Sequence, residues 1–241
     1  MLQKNHLASF LEDIFMKKAF CNERNLKIIL FSLIAGCFFL FNSCGIDEWY
    51  VLEAPRTEIT PSYSNSDDES KVFRFVTADP AEYDESGLDF MGTQVFYKIY
   101  DDFSNLEKDK SEITSSTLSP ESMQGKIDSL RYRQLFSVDQ YHGSVQVEVK
   151  LTGNNVIPSY ILGSGVSSTV PVRNISSSTK DFVFTQSNYP KTSDGDYSGS
   201  DTFTDGPWYV ALYANSVGHD ASFANYYSDM IYLGSVRLDK N

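Results

Sequence analysis

Between Ser144 and Leu151 the chain reads Ser-Val-Gln-Val-Glu-Val-Lys-Leu, polar and apolar residues in strict alternation. Successive side chains of a strand point to opposite faces, so this segment offers one face to a core and the other to water. The same period of two recurs at Lys71–Val76 and at Gln94–Tyr100. Thr169–Val172, Asp181–Thr185, Trp208–Ala214 and Met230–Leu238 are further runs rich in Val, Ile, Tyr or Phe, bounded by Gly, Asn, Asp or Ser. One short helix is predicted over Pro120–Leu130. Ser119 is placed to cap it, Pro120 suits its first turn, and Met123, Ile127 and Leu130 share a stripe. Short strands joined by polar turns specify a mainly β chain, an antiparallel sandwich or barrel.

Apolar residues make up 41% of the 241, enough for a packed core and too many for a wholly disordered chain. Lys and Arg number 20 against 32 Asp and Glu, a net charge of −12. A phosphate backbone needs a basic face, so nucleic acid is excluded as a partner, as is a polybasic membrane patch. No repeat of fixed period is present.

The longest apolar run is Ile28–Phe41, 14 residues. A bilayer-spanning helix needs about 20, whereas the apolar region of a signal peptide has roughly 7–15. Lys17, Lys18, Arg24 and Lys27 precede the run against Glu23, and Phe41-Asn42-Ser43-Cys44 closes it. This arrangement resembles a bacterial lipoprotein signal, and the bulky Phe41 and Asn42 make its box more like those of spirochaetes or Bacteroidetes. The resemblance implies that the Cys44 thiol receives a diacylglyceryl group and that the chain is cut before it. Ile34-Ala35-Gly36-Cys37 is the alternative box, but cleavage there would leave Phe38–Phe41 at the mature start. Met16-Lys17-Lys18 reads as a natural beginning of such a signal.

On this reading residues 1–43 are n-region and signal peptide. Residues 44–70 are a lipidated N-terminus and flexible tether, poor in large apolar side chains and containing Pro55, Pro61 and Asp67-Asp68-Glu69. Residues 71–241 are the β-rich domain. The removed segment holds five Lys/Arg and three Asp/Glu, so the net charge passes from −12 to −14. Cys21 and Cys37 leave with it, and Cys44 is then the only cysteine. The domain is expected to rest on its core with no disulfide. Acyl chains contribute about 0.8 kcal/mol per buried CH₂, and more than one of them gives stable anchoring. The resemblance further implies export. With no Asp directly behind Cys44, it implies the outer membrane or cell surface rather than the inner membrane.

Tyr209–Gly218 resembles the penultimate strand of a fibronectin type III or immunoglobulin-like domain, where a Tyr enters the strand and a turn with Asn and Gly leaves it. Tyr232–Leu238 suits the last strand and Phe96–Tyr100 an early one. The resemblance implies a two-sheet antiparallel sandwich. Because such modules have roughly 100 residues, residues 103–206 are expected to form an insertion or a second subdomain.

Candidate chemistry is sparse. Asp194, Asp196, Ser198 and Asp205 place oxygens at positions 1, 3, 5 and 12 of a loop with Gly199 at position 6, the spacing of a calcium loop. A solvated hairpin loop is the alternative. Trp208, Tyr226 and Tyr227 are candidates for a flat platform for a sugar or a partner protein, and filling a sheet core is the alternative. His142 and His219 sit in turn-like contexts. Gly-x-Ser-x-Gly, His-Glu-x-x-His and a phosphate loop are all missing from the sequence. No catalytic residue and no cofactor other than calcium is assigned. These features point to a membrane-anchored envelope protein with a non-catalytic sandwich that binds an envelope protein or a glycan. A carbohydrate-binding module and a small envelope hydrolase are the alternatives.

Overall fold

Two strands of 12 residues, β3 (Asp89–Tyr100) and β11 (Trp208–His219), run antiparallel side by side, from Tyr209 opposite Tyr100 to His219 opposite Asp89. Both faces of this pair are covered, which is why they read as near-continuous apolar runs. Val95, Tyr97, Ile99, Val210, Leu212 and Ala214 enter one buried cluster. Phe96, Tyr100, Ala211 and Tyr213 enter another. The computed structural model describes residues 51–64, 71–83, 87–115, 117–139, 143–151, 159–163, 166–176, 178–182, 184 and 188–240. All of them belong to one unit, Tyr50–Asn241. Met16, Cys37, Cys44 and His142 lie outside the described residues.

The other strands are β1 (Arg56–Ile59), β2 (Val72–Val76), β4 (Arg133–Asp139), β5 (Gln146–Lys150), β6 (Ser159–Leu162), β7 (Val166–Thr169), β8 (Val172–Ile175), β9 (Ser178–Asp181), β10 (Tyr197–Ser198), β12 (Asn225–Tyr227) and β13 (Ile231–Leu238). In the first sheet β4 and β10 flank β3, while β13 and β12 flank β11; β10 alone pairs in parallel. The second sheet has the order β1-β2-β5-β6-β7, antiparallel throughout. Phe73, Phe75, Val147 and Val149 of this sheet pack against the inner residues of β3 and β11. Strands β8 and β9 form a separate hairpin.

The chain is an antiparallel β-sandwich. Its β1-β2-β5 and β3-β11-β13 neighbourhoods reproduce the A-B-E and C-F-G orders of immunoglobulin-like sandwiches. Residues 103–206 are not one insertion: β4 and β5 belong to the two main sheets. The elaborations are two helices between β3 and β4, and the stretch β6–β10 between β5 and β11.

Two helices are present where one is predicted. Helix α1 (Phe103–Ile113) is capped by Asp102, whose carboxylate accepts from Ser104 N–H at 2.8 Å. Helix α2 (Pro120–Ser129) is capped by Ser119, as its sequence suggests. Leu106, Ile113, Met123 and Ile127 cover Phe96, Tyr100, Ala211 and Tyr213 from outside the sandwich. Among the described residues no helix is long and apolar enough to cross a membrane.

The flexible tether predicted over 44–70 is corrected for its described part. Leu52 is buried with Tyr83 and Leu88, and β1 pairs with β2 from Arg56 opposite Val76. Tyr63 stacks on Phe103 with ring centroids 3.7 Å apart. Residues 51–64 are therefore part of the sandwich. The run Thr169–Val172 is also corrected: it straddles Pro171, which has no N–H for a ladder, and β7 ends before it while β8 begins after it.

Candidate functional site

Arg173 on β8 has no exposed surface. Its Nε donates to Asp196 Oδ2 at 2.9 Å, and its Nη2 donates to Asp196 Oδ1 at 2.8 Å and to Asp194 Oδ2 at 2.9 Å. Lys180 on β9 adds a bond to Asp194 Oδ1 at 3.0 Å. Tyr97 on β3 donates to Asp196 Oδ2 at 2.8 Å and accepts from Asn174 N–H at 2.6 Å. The β8–β9 hairpin is thereby fastened through the loop 194–196 to the central strand. Burial on its own raises the Asp194 carboxyl, but bonds from Lys180, the Lys191 N–H and Arg173 outweigh it and hold the group below the usual range. Burial, then the negative charge of Asp196, pushes the Tyr97 phenol well up, so it remains a neutral donor.

This geometry corrects the calcium reading of the loop. Asp194 and Asp196 turn inward to a resident guanidinium, and a divalent cation placed between them would face that positive charge. Asp205, at position 12, lies on the surface and pairs with Lys240 at 3.2 Å. Ser198 contributes its backbone carbonyl to Asp101 N–H at 3.4 Å. Among the described residues no cluster of three or more His, Cys, Asp or Glu is arranged to hold a metal ion.

The platform reading is corrected in the same way. Trp208 is fully buried, edge-on to Phe184 at 5.1 Å and stacked on Tyr189 at 5.4 Å. Tyr226 and Tyr227 lie on β12, which pairs with the other end of β11. At about 3.3 Å per residue the nine steps from Trp208 to Val217, the partner of Tyr227, span about 30 Å. The three rings form no common surface.

A second buried network escaped the sequence reading. Lys98 Nζ bonds Asp109 Oδ2 at 2.8 Å under α1, and Tyr100 donates to the same oxygen at 2.8 Å. Tyr100 and Tyr132 share a hydroxyl contact of 2.7 Å. Burial, then the neighbouring Tyr132, raises Tyr100 strongly. The only available signal was Lys98 inside an apolar run, which marks a buried charge in need of a partner.

At one end of the sandwich β2 leads into β3, β4 into β5 and β11 into β12. There Asp139 lies opposite Gly92, Gln146 opposite Val76 and His219 opposite Asp89. In immunoglobulin-like sandwiches the corresponding loops cluster at one end. Gly92 has φ +133°, and a Cβ on it would sit 2.1 Å from the Val138 carbonyl oxygen. Glycine is therefore required where β4 closes on this end. The β11–β12 loop is organised by Asp220, whose Oδ1 accepts from Ser222 N–H, Ser222 Oγ and Ala224 N–H, while Oδ2 accepts from Tyr226 OH. The Ser222 hydroxyl above all keeps this carboxyl below its ordinary range. The loop lifts Phe223 into solvent at φ +63° and 79% exposure. His219 lies 3.8 Å from the Asp89 carboxylate, with Nδ1 at 3.0 Å from the Asp220 carbonyl oxygen. A cleft of about 400 Å³ lined by Glu53, Arg56, Thr77, Asp79 and Ser144 opens at the same end.

Set against known protein families, curated proteins and solved structures, the chain matches none of them.

Proposed function

We propose that this chain is an exported lipoprotein of the bacterial cell envelope, anchored through Cys44, whose β-sandwich works by binding rather than by catalysis. The observation that carries the reading is Cys44 itself, three residues after a 14-residue apolar run with a basic flank. The acidic, mainly β domain behind it supports an extracytoplasmic body that needs no nucleic acid and no basic contact with lipid. The partner class is another envelope protein or a glycan. The outer membrane or cell surface is its location. The burial of Trp208 removes the strongest residue from the sugar-platform alternative.

The test is the intact mass of the N-terminal peptide from native membranes. A peptide beginning at Cys44 and carrying diacylglyceryl and acyl mass is the expected result. Cys44→Ser should abolish the added mass and release the protein from the membrane fraction. A Cys44→Ser protein that matures and partitions like the parent overturns the reading.

A further inference from the structure

We propose that the loop end of the sandwich rests on the lipid bilayer, with Phe223 seated at the boundary between headgroups and acyl chains. The proposal rests on the lipid anchor at Cys44 and goes beyond it by fixing the orientation of the domain.

Chain length limits how far the domain stands from its anchor. Val51 is the first described residue and Leu52 is already buried against Tyr83 and Leu88. Cys44 precedes Val51 by seven residues, which reach at most about 25 Å when fully extended. The domain cannot stand far from the surface that holds its lipid.

Leu52 fixes the end of the sandwich at which the described chain begins. Leu52 shares its cluster with Phe90, near the start of β3, and with Tyr226, whose hydroxyl bonds Asp220 of the Phe223 loop. Glu53 N–H donates to Tyr83 OH at 2.6 Å, and β1 then runs from Val76 away along β2. The described chain therefore begins beside the β11–β12 loop, the end nearest in sequence to the anchor.

Exposed apolar side chains gather at the same end. Among the described residues the two most exposed large apolar side chains are Val51 and Phe223, both at 79%, and Met91 follows at 50%. All three lie at this end. Water gains nothing from holding a phenylalanine out on a loop braced by four hydrogen bonds to one carboxylate. A membrane interface does, because aromatic rings are favoured at headgroup depth. Glu53, Asp79, Asp89, Asp139 and Asp220 lie at this end, with the His219 ring 5.2 Å from that of Phe223 and Arg56 the cation lining the neighbouring cleft. The surface suits a zwitterionic bilayer and is repelled by an anionic one.

The experiment uses the full lipidated protein in phosphatidylcholine vesicles containing nitroxide-labelled lipid. A fluorophore is placed at Phe223→Cys or, as reference, at Val170→Cys, which follows β7 at the opposite end of the second sheet. Quenching several-fold stronger at 223 than at 170, weakened by added phosphatidylglycerol, is expected. The same fluorophore at Met91→Cys should be quenched, and should lose most of that quenching when Phe223→Ser is added. Equal or absent quenching at 223 and 170 in a protein whose Cys44 carries its lipid overturns the orientation and leaves the anchor intact. Cross-linking between copies through position 223, without quenching, overturns it in favour of self-association. A Cys44 without lipid mass overturns both readings.

Discussion

Arg173 shows how one residue decides the character of a whole loop. Its guanidinium lies among Asp194, Asp196 and the Phe184 ring with no exposed surface. Removing one partner of such a group leaves the others desolvated and unpaired, at a cost of about 3–5 kcal/mol. Arg173→Met should therefore lower the urea midpoint strongly. Arg173→Lys should cost less, since it keeps the charge but cannot bond both carboxylates with a planar fork. A midpoint unchanged in Arg173→Met would mean that the loop is not held by this contact. Acid acts on the same place. Asp194 titrates in the folded chain below its unfolded value near 3.9. Its contribution is thus complete above that value and is lost as pH falls through the lower, folded one. Unfolding free energy should stay level from pH 7 to about pH 5 and drop below pH 4. Asp194→Asn should be less stable at pH 7 and fall less steeply in acid. From the sequence, Asp194 and Asp196 could be recognised as oxygens gathered for a cation, but not which cation. Arg173 lies 21 residues before Asp194, in a hairpin whose register no local period reveals. Trp208 stayed open between platform and core for a related reason: an aromatic at the head of a strand looks the same whether it faces water or the Phe184–Tyr189 cluster.

Strands were legible where one face meets the core and the other meets water, as in β2 and β5. They were understated where the surroundings change along the strand. Asp89–Thr93 and Asn215–His219 carry Gly, Asp, Ser and Asn, yet they continue β3 and β11 because each finds its ladder partner in the other. Helix α1 was missed because only Leu106 and Ile113 of its apolar residues are fully buried, too few to produce a stripe. Strand β1 was missed because Arg56–Ile59 is an edge strand exposed along its length, so its composition is that of a linker. Its contribution lies on either side of it: Leu52 is buried before it, and Pro61 lies over Gly234 of β13 after it. A Cβ on Gly234 would come within 2.8 Å of Pro61 Cδ. A chain begun at Lys71, where composition alone would start the domain, exposes that part of β13 and the Tyr83–Leu88 cluster. Burying one leucine contributes about 1.5–3 kcal/mol, so this chain should unfold at clearly lower urea than one begun at Tyr50. Equal midpoints would return residues 51–64 to the tether.

At the scale of the whole molecule, the sandwich, its acidic charge and the short link to Cys44 bear on one another. On the proposed cleavage before Cys44 the body has net charge −14 and gains no attraction from anionic lipid, and one exposed phenylalanine provides only about 1.5–3 kcal/mol if fully buried. Free in solution, such a domain would scarcely bind a bilayer. On the proposed anchoring through Cys44, seven residues hold it at the surface at a high effective concentration, which then falls roughly as the −3/2 power of linker length. Inserting about 21 Gly and Ser residues between Cys44 and Val51 makes the link about four times longer and dilutes the loop end about eightfold. Quenching at a fluorophore on position 91, with Phe223 in place, should fall accordingly, while the protein stays in the vesicle fraction through its lipid. Adding Phe223→Ser to the unextended chain should weaken docking by a comparable or larger factor, because it removes the contact itself rather than its local concentration. If the extended link leaves quenching untouched, the loop end holds the bilayer by an affinity of its own that this ledger of charge and apolar surface does not contain.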